Sequence, residues 1–225
     1  MVECAHTIAS AAALRHTSRA LRTEELFKKV LPHQCLGSVW SQRRKPGKEH
    51  VASTVRATVR QFNYVATCVI TTCLGDPSMM AWDRAKVVEH WIKVAKECRI
   101  LRTFSSLHVV LAALQSMSVH RLKKTWGKVS RKLALTMNKL CKKNNSLSRE
   151  QFIKPSRYAS LMVYVPGSKP KLPKKWVPFL GKYLKELKAM DTLMEDDLEV
   201  QRVLEEIVVL QEAAQKYKIE PEEQF

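Results

Sequence analysis

Paired carboxylates are the first place to look for acid–base chemistry, and the chain offers Asp196-Asp197 and Glu205-Glu206. A working dyad needs two carboxyls converging in a site that separates their protonation behaviour. Both pairs lie in polar, helical context and read as solvated faces. Metal chemistry fares no better. The six cysteines, Cys4, Cys35, Cys68, Cys73, Cys98 and Cys141, include no C-x-x-C pair and sit mostly among apolar neighbours. They read as reduced core residues of a cytosolic protein. The seven histidines are scattered, with no H-E-x-x-H and no Cys/His cluster at zinc spacing, so no metal site is expected. G-x-x-x-x-G-K-S/T, G-x-G-x-x-G and G-x-S-x-G are all absent from a chain with only six glycines. It is not expected to cradle a nucleotide itself, and no catalytic residue or cofactor is assigned.

The formal charge of +18 invites a nucleic-acid reading, because clustered Lys and Arg release counterions from phosphates. Its distribution tempers that reading. Residues 191–225 hold eleven acids against Arg202, Lys216 and Lys218, leaving that segment at −8 and the rest at +26. Such polarity suits a charged protein partner or peripheral association with an anionic membrane surface equally well, and nucleic acid is not the expected partner. No window of roughly 18 uncharged apolar residues is present, so no membrane span is expected. Ile8 to Leu14 is short, and Glu3 and His6 stand where a signal peptide carries positive charge, so the expected location is cytoplasmic.

The elements that must position any site read as helices, because apolar residues recur at spacings of three and four. Val51, Val55, Val59, Phe62, Val65 and Val69 form one stripe within 51–74, before Gly75-Asp76-Pro77 breaks the chain. Asp83 is a candidate cap for a helix carrying Val87, Val88, Trp91, Ile92, Val94, Ala95 and Cys98 inward. Ser105 or Ser106 then opens a helix with Leu107, Val110, Leu111 and Leu114 inside, running toward the basic stretch His120 to Trp126. Ser148 and Gln151 make a capping-box pattern for a short helix ended by Pro155, and the turn-rich 157–175 reads as a hairpin or loop. Trp176, Phe179, Leu180, Tyr183, Leu184 and Leu187 give the cleanest helical signal, with Lys175, Lys182, Lys185 and Lys188 on other faces. Beyond the acids, Val203, Leu204, Ile207, Val208, Leu210 and Gln211 repeat helically, completing an αα-hairpin. No repeat of fixed period appears.

Four ordered blocks resemble the RasGEF catalytic domain, and most of all its Ral-directed branch, the Ral guanine-nucleotide dissociation stimulators. The first runs Glu25-Leu26-Phe27-Lys28-Lys29-Val30 to Cys35-Leu36-Gly37-Ser38-Val39-Trp40, and the second Thr54 to Asn63 and on through Cys68-Val69-Ile70 to Gly75-Asp76. The third comprises Glu97-Cys98-Arg99, Phe104-Ser105-Ser106-Leu107, Leu114-Gln115-Ser116 and His120 to Trp126; the fourth is Val177-Pro178-Phe179-Leu180-Gly181. The resemblance implies an all-α helical bowl with a protruding helical hairpin at 176–217. In such a fold the bowl binds the switch II region of a small GTPase, and the hairpin wedges switch I from the nucleotide. The implied function is a guanine-nucleotide exchange factor for a Ral-like GTPase, with Ras and Rap as other partners; nucleotide and magnesium belong to the GTPase. No covalent chemistry is implied, so the chain is not an enzyme in that sense. The alternative is a degenerate, non-exchanging GTPase-binding scaffold.

Carried over by position, the GTPase-binding surface comprises Trp40, Arg56, His108, Gln115 and Phe179, with Leu187, Lys188 and Thr192 on the hairpin wedge. From the residues alone, Trp40 is as readily core filler, Arg56 a paired structural arginine, and Phe179 part of a packing stripe. Leu180 and Leu184 are expected to lock the hairpin to its base, with Leu187 partly exposed at the working face. Lys188 departs from the branch, whose members look aliphatic there. Leu198-Glu199-Val200 runs on where the family carries an Asn-Phe-x-Lys-Arg-Arg-type stretch, and the region before Ser146 looks trimmed. The expected organisation is a divergent segment at 1–22 and a RasGEF-like catalytic domain at 23–225, incomplete at its C-terminal end: a truncated or atypical member.

Overall fold

Glycine and proline punctuate the chain, and helices fill the intervals between them. The computed structural model describes residues 22–48, 50–145, 176–193 and 197–215. The helix α1 spans Arg22–Lys28, and a 3-10 turn, Pro32–Cys35, leads into the short α2, Gly37–Trp40. A second 3-10 turn, Ser41–Arg44, precedes the long α3, Ser53–Leu74. Then come α4, Ala81–Ile100; α5, Phe104–Gln115; α6, Met117–His120; α7, Lys123–Trp126; and α8, Arg131–Asn145. The hairpin is α9, Leu180–Leu193, and α10, Asp197–Gln215. An isolated bridge between Thr103 and Val177 is the one extended pairing among the described residues, so the fold is all-α as expected. None of the described helices is long and apolar enough to cross a membrane. The short helix expected after Ser148 and the hairpin or loop at 157–175 lie outside the described residues.

Two apolar clusters form the core, and α3 belongs to both. Its later half, Val65, Val69 and Cys73, packs with α4 (Val88, Trp91, Ile92, Ala95), the inner face of α5, and Met137 and Leu140 of α8. Its beginning, Val55, joins Phe27, Cys35, Tyr183, Leu184, Leu187, Ile207 and Leu210 of α1, the first 3-10 turn and the hairpin. Each such side chain contributes about 1.5–3 kcal/mol when taken fully from water, so burial dominates both clusters. The start of α3 is unusual. Ala52 at its N-cap is left-handed (φ 52°) and has no side-chain oxygen. Gln34 substitutes from the first 3-10 turn, its Oε1 accepting from Thr54 N at 3.0 Å and Thr54 Oγ1 at 2.6 Å. Where the chain leaves α1, the Gln211 amide donates to Phe27 O at 2.9 Å and Val30 O at 2.6 Å, tying α10 to that exit.

Several boundaries differ from those read in the sequence. α4 begins at Ala81 with Met80 at its N-cap, so Asp83 is in the first turn instead, where its negative charge still complements the positive end of the helix dipole. α5 begins at Phe104, with Ser105 and Ser106 buried inside it. α9 begins at Leu180, leaving Trp176 and Phe179 outside, because Pro178 drives Val177 into extended backbone. Val208 is 42% exposed, since the buried face of α10 runs through Val203, Ile207, Leu210 and Ala214.

That extended residue anchors the hairpin. α4 ends in a Schellman turn, with Thr103 N donating to Cys98 O at 2.9 Å and Arg102 N to Arg99 O at 3.1 Å. Arg102 takes the left-handed position (φ 59°) that glycine usually fills. Its side chain compensates, placing the guanidinium 5.9 Å from the centre of the Trp176 ring. Arg102 O then accepts from Val177 N at 3.1 Å, and Val177 O accepts from Phe104 N at 2.8 Å. Phe104 packs on Trp176 with centroids 4.5 Å apart.

The hairpin is also braced by backbone contact. A Cβ on Gly37 would lie 2.8 Å from Lys188 Cα and 3.1 Å from Leu187 O, so α2 and α9 approach through a glycine. Gly127, by contrast, has ordinary helical backbone (φ −66°) and its nearest obstacle to a Cβ is Lys123 O at 3.4 Å. Gly37→Ala is therefore expected to lower stability by about 1–3 kcal/mol through overpacking. Gly127→Ala is expected to be neutral or to raise it by about 0.4–1 kcal/mol through a less free unfolded chain. Urea denaturation of the two variants checks both signs.

Candidate functional site

At the root of the hairpin three rings from three elements meet. His108 of α5 stacks on Phe179 with centroids 3.8 Å apart and planes at 18°. Phe62 of α3 leans on both, 5.9 Å from His108 and 5.4 Å from Phe179. Phe179 lies in the turn between Pro178 and α9, and its ring occupies the space over Gly181. A Cβ there would come 2.7 Å from Phe179 Cε1, so this glycine lets the ring fold back toward α5. Beside the stack, a pocket of about 190 Å³ opens between α3 and the first turns of α9, bounded by Thr58, Val59, Phe62, Phe179, Leu180 and Leu184. The groups present make an apolar, ring-walled surface suited to gripping a partner's side chains, with no acid–base pair. Among the described residues no group of His, Cys, Asp and Glu is arranged to hold a metal.

Of the residues singled out from the sequence, Phe179 and His108 are in direct contact. Trp40 and Arg56 are half-buried on α2 and on the first turn of α3, and Gln115 is exposed at the far end of α5. Lys188 and Thr192 are exposed one turn apart on α9, the Thr192 hydroxyl donating to Lys188 O at 2.9 Å. Leu187 is the correction. Expected at a partly exposed working face, it is 2% exposed and packs in the cluster at the hairpin's base, because the close approach permitted by Gly37 covers that part of α9. Lys182, off the apolar stripe as read, is half-buried, and its ammonium donates to Asn144 O at 3.2 Å. Asn144, Lys182 and the Phe62 ring are site residues that sequence reasoning did not pick out. Phe62 carried a signal as the aromatic in an otherwise valine stripe; Asn144, 36 residues from His108, carried none.

The imidazole is held neutral. Its Nδ1 lies 2.9 Å from Asn144 Nδ2; with the amide donating, Nδ1 accepts and the ring proton sits on Nε2. Burial pushes the His108 pKa below its ordinary 6.5 and the Lys182 charge adds to this, while the Asn144 bond opposes them. Lys182 is itself held below the usual lysine range by burial. As pH falls through about 6.5, the unfolded chain takes up a proton at this position that the folded chain refuses, so stability is full above that value and declines below it. His108→Gln keeps a polar group near Asn144 but removes the titration. Between about pH 7.5 and 5.5 its loss of stability, by urea denaturation, is expected to be smaller than the parent's.

The surface just described falls within a recognised family. The RasGEF domain model matches residues 19–213. The human Ral-GDS-related protein is 44% identical over 221 residues, spanning 91% of this chain and 46% of that protein. Human Ral guanine nucleotide dissociation stimulator-like 1 is 37% identical over 231 residues, 89% of this chain and 30% of that one. Mouse Ral guanine nucleotide dissociation stimulator-like 3 is 40% identical over 213 residues, 88% and 30%. The chain thus spans less than half the length of these relatives. The match takes in both apolar clusters and nearly all of the described hairpin, and on that basis the chain belongs to the RasGEF domain family.

Proposed function

We propose that this chain promotes GDP release from a small Ras-type GTPase of the Ral kind. The observation that carries the reading is the RasGEF match across 19–213, which takes in nearly all of the described hairpin, joined by relatives named as Ral guanine nucleotide dissociation stimulator-like. The proposed working domain is residues 23–225 with the hairpin at 176–217, acting in the cytoplasm. Exchange of this kind makes and breaks no covalent bond. A protein that binds the open, nucleotide-free GTPase better than the closed one weakens nucleotide binding by the same factor, so surface complementarity is the whole of the catalysis.

The proposed contact surface runs from Trp40 and Arg56 past the Phe179–His108 stack to Gln115, with Lys188 and Thr192 presented by α9. Leu187 takes a supporting role beneath them. The geometry favours this division: Lys188 is exposed on the helix whose other face holds Leu180, Leu184 and Leu187 in the base cluster. A lysine where the branch looks aliphatic favours the second reading, a module that grips a GTPase without emptying it.

Release of a fluorescent GDP analogue from Ral, Ras and Rap is the direct test, with faster release from Ral expected. Unchanged release from all three would overturn exchange; a complex with nucleotide-free Ral at those unchanged rates would establish the scaffold instead, and absence of any complex as well would overturn both. Leu184→Ala and Leu187→Ala are each expected to cost about 2–5 kcal/mol of stability, since both are buried. Lys188→Val is expected to leave the melting temperature nearly unchanged and to alter release. A faster rate marks the lysine as an impediment, a slower one as a contact near the phosphates, and an unchanged one removes it from the interface.

A further inference from the structure

The basic charge is not spread evenly over the molecule. Residues 98–145 contain eleven Lys and Arg and no Asp or Glu. Much of that charge is on α8, whose inner side is committed to the core through Met137 and Leu140. Its other side presents Arg131, Lys132, Leu135, Lys139 and Lys142, all exposed and within about 100° of the helix circumference. Lys124 of α7 and Lys128 in the turn after it are also exposed. Glu89 of the neighbouring α4 is engaged at the start of α8, accepting from Ser130 N at 2.6 Å. The acids gather elsewhere: α10, whose buried face belongs to the other apolar cluster, carries Asp197, Glu199, Glu205, Glu206 and Glu212 against Arg202.

We propose that the outer face of α8 docks on an anionic lipid bilayer. Cations near such a surface add about fivefold each to partitioning. Leu135, 51% exposed at the centre of the stripe, gives the face an apolar contact with the lipid interface. Single-stranded nucleic acid is the poorer match. The one aromatic in α7 and α8 is Trp126, which is half-buried with its N–H donated to Val119 O at 3.1 Å, so no ring is offered for base stacking. None of the face's residues belongs to the proposed GTPase-contacting set, so this inference stands whether or not the chain exchanges nucleotide.

The test is co-sedimentation of the full chain with phosphatidylcholine vesicles, with and without phosphatidylserine, at about 0.1 M salt. Binding is expected only when phosphatidylserine is present, and it should weaken steeply with added salt. Replacing Lys132, Lys139 and Lys142 together by Gln should reduce partitioning about a hundredfold. The same replacement at the exposed Lys29, Lys45 and Lys48, an equal change in net charge elsewhere, should leave most of the binding. Thermal melts of both triple variants confirm folding. Equal losses in the two variants would show that bulk charge, not this face, drives the binding, and overturn the proposal. So would absence of binding to phosphatidylserine vesicles, or a short DNA duplex or single strand held more tightly than the vesicles and lost with the α8 variant.

Discussion

Two backbone hydrogen bonds, from Val177 N to Arg102 O and from Phe104 N to Val177 O, decide where the hairpin stands. They contribute only about 0.5–1.5 kcal/mol each. The burial of Tyr183, Leu184, Leu187, Ile207 and Leu210 against Val55 and Phe27 is several times larger and is what holds the hairpin to the bowl. Burial is non-directional, however, and would tolerate a range of tilts. The paired bonds, with Trp176 clamped between Phe104 and the Arg102 guanidinium, select one tilt. The Phe179–His108 stack and the exposure of Lys188 both follow from that selection.

Arg102 shows how local cost is tolerated for this end. A left-handed conformation costs an L-residue roughly 1–2 kcal/mol, and glycine would avoid it. Glycine would also abandon Trp176. Gln34 and Gln211 work the same way: each is a polar side chain from a neighbouring element that bonds backbone groups at or just past a helix end, and each thereby ties that helix to the element it came from.

The helical class, the inner faces of α4 and α5 and the existence of the hairpin were legible in the residues, because three- and four-residue periodicity is a direct image of burial on one side of a helix. The family resemblance pointed to Phe179 and His108 separately, and the structure stacks them. What was not legible depended on tertiary approach. Leu187 looks like the last residue of a fading stripe until Gly37 brings α2 against it. Lys182 looks like one of several lysines off the apolar face until the Asn144 carbonyl, at the end of another helix, accepts a hydrogen bond from it. Val177 looks like the first residue of a helix, and only the proline after it hints at extended backbone. Caps were misjudged for a related reason: Asp83 and Ser105 are good capping residue types, but α4 and α5 begin where the preceding turns leave them.

α3 has a further consequence. Its 22 residues extend about 33 Å and contribute Val55 to one apolar cluster and Val65, Val69 and Cys73 to the other, without a glycine or proline between. Two cores threaded on one unbroken helix cannot open independently, since melting either strips support from the beam that the other needs. Amide hydrogens in the middle of α3 should therefore exchange only through global unfolding, making bowl and hairpin a single cooperative unit. A load on the hairpin is then carried along a rigid rod into the other apolar cluster instead of being absorbed at a joint.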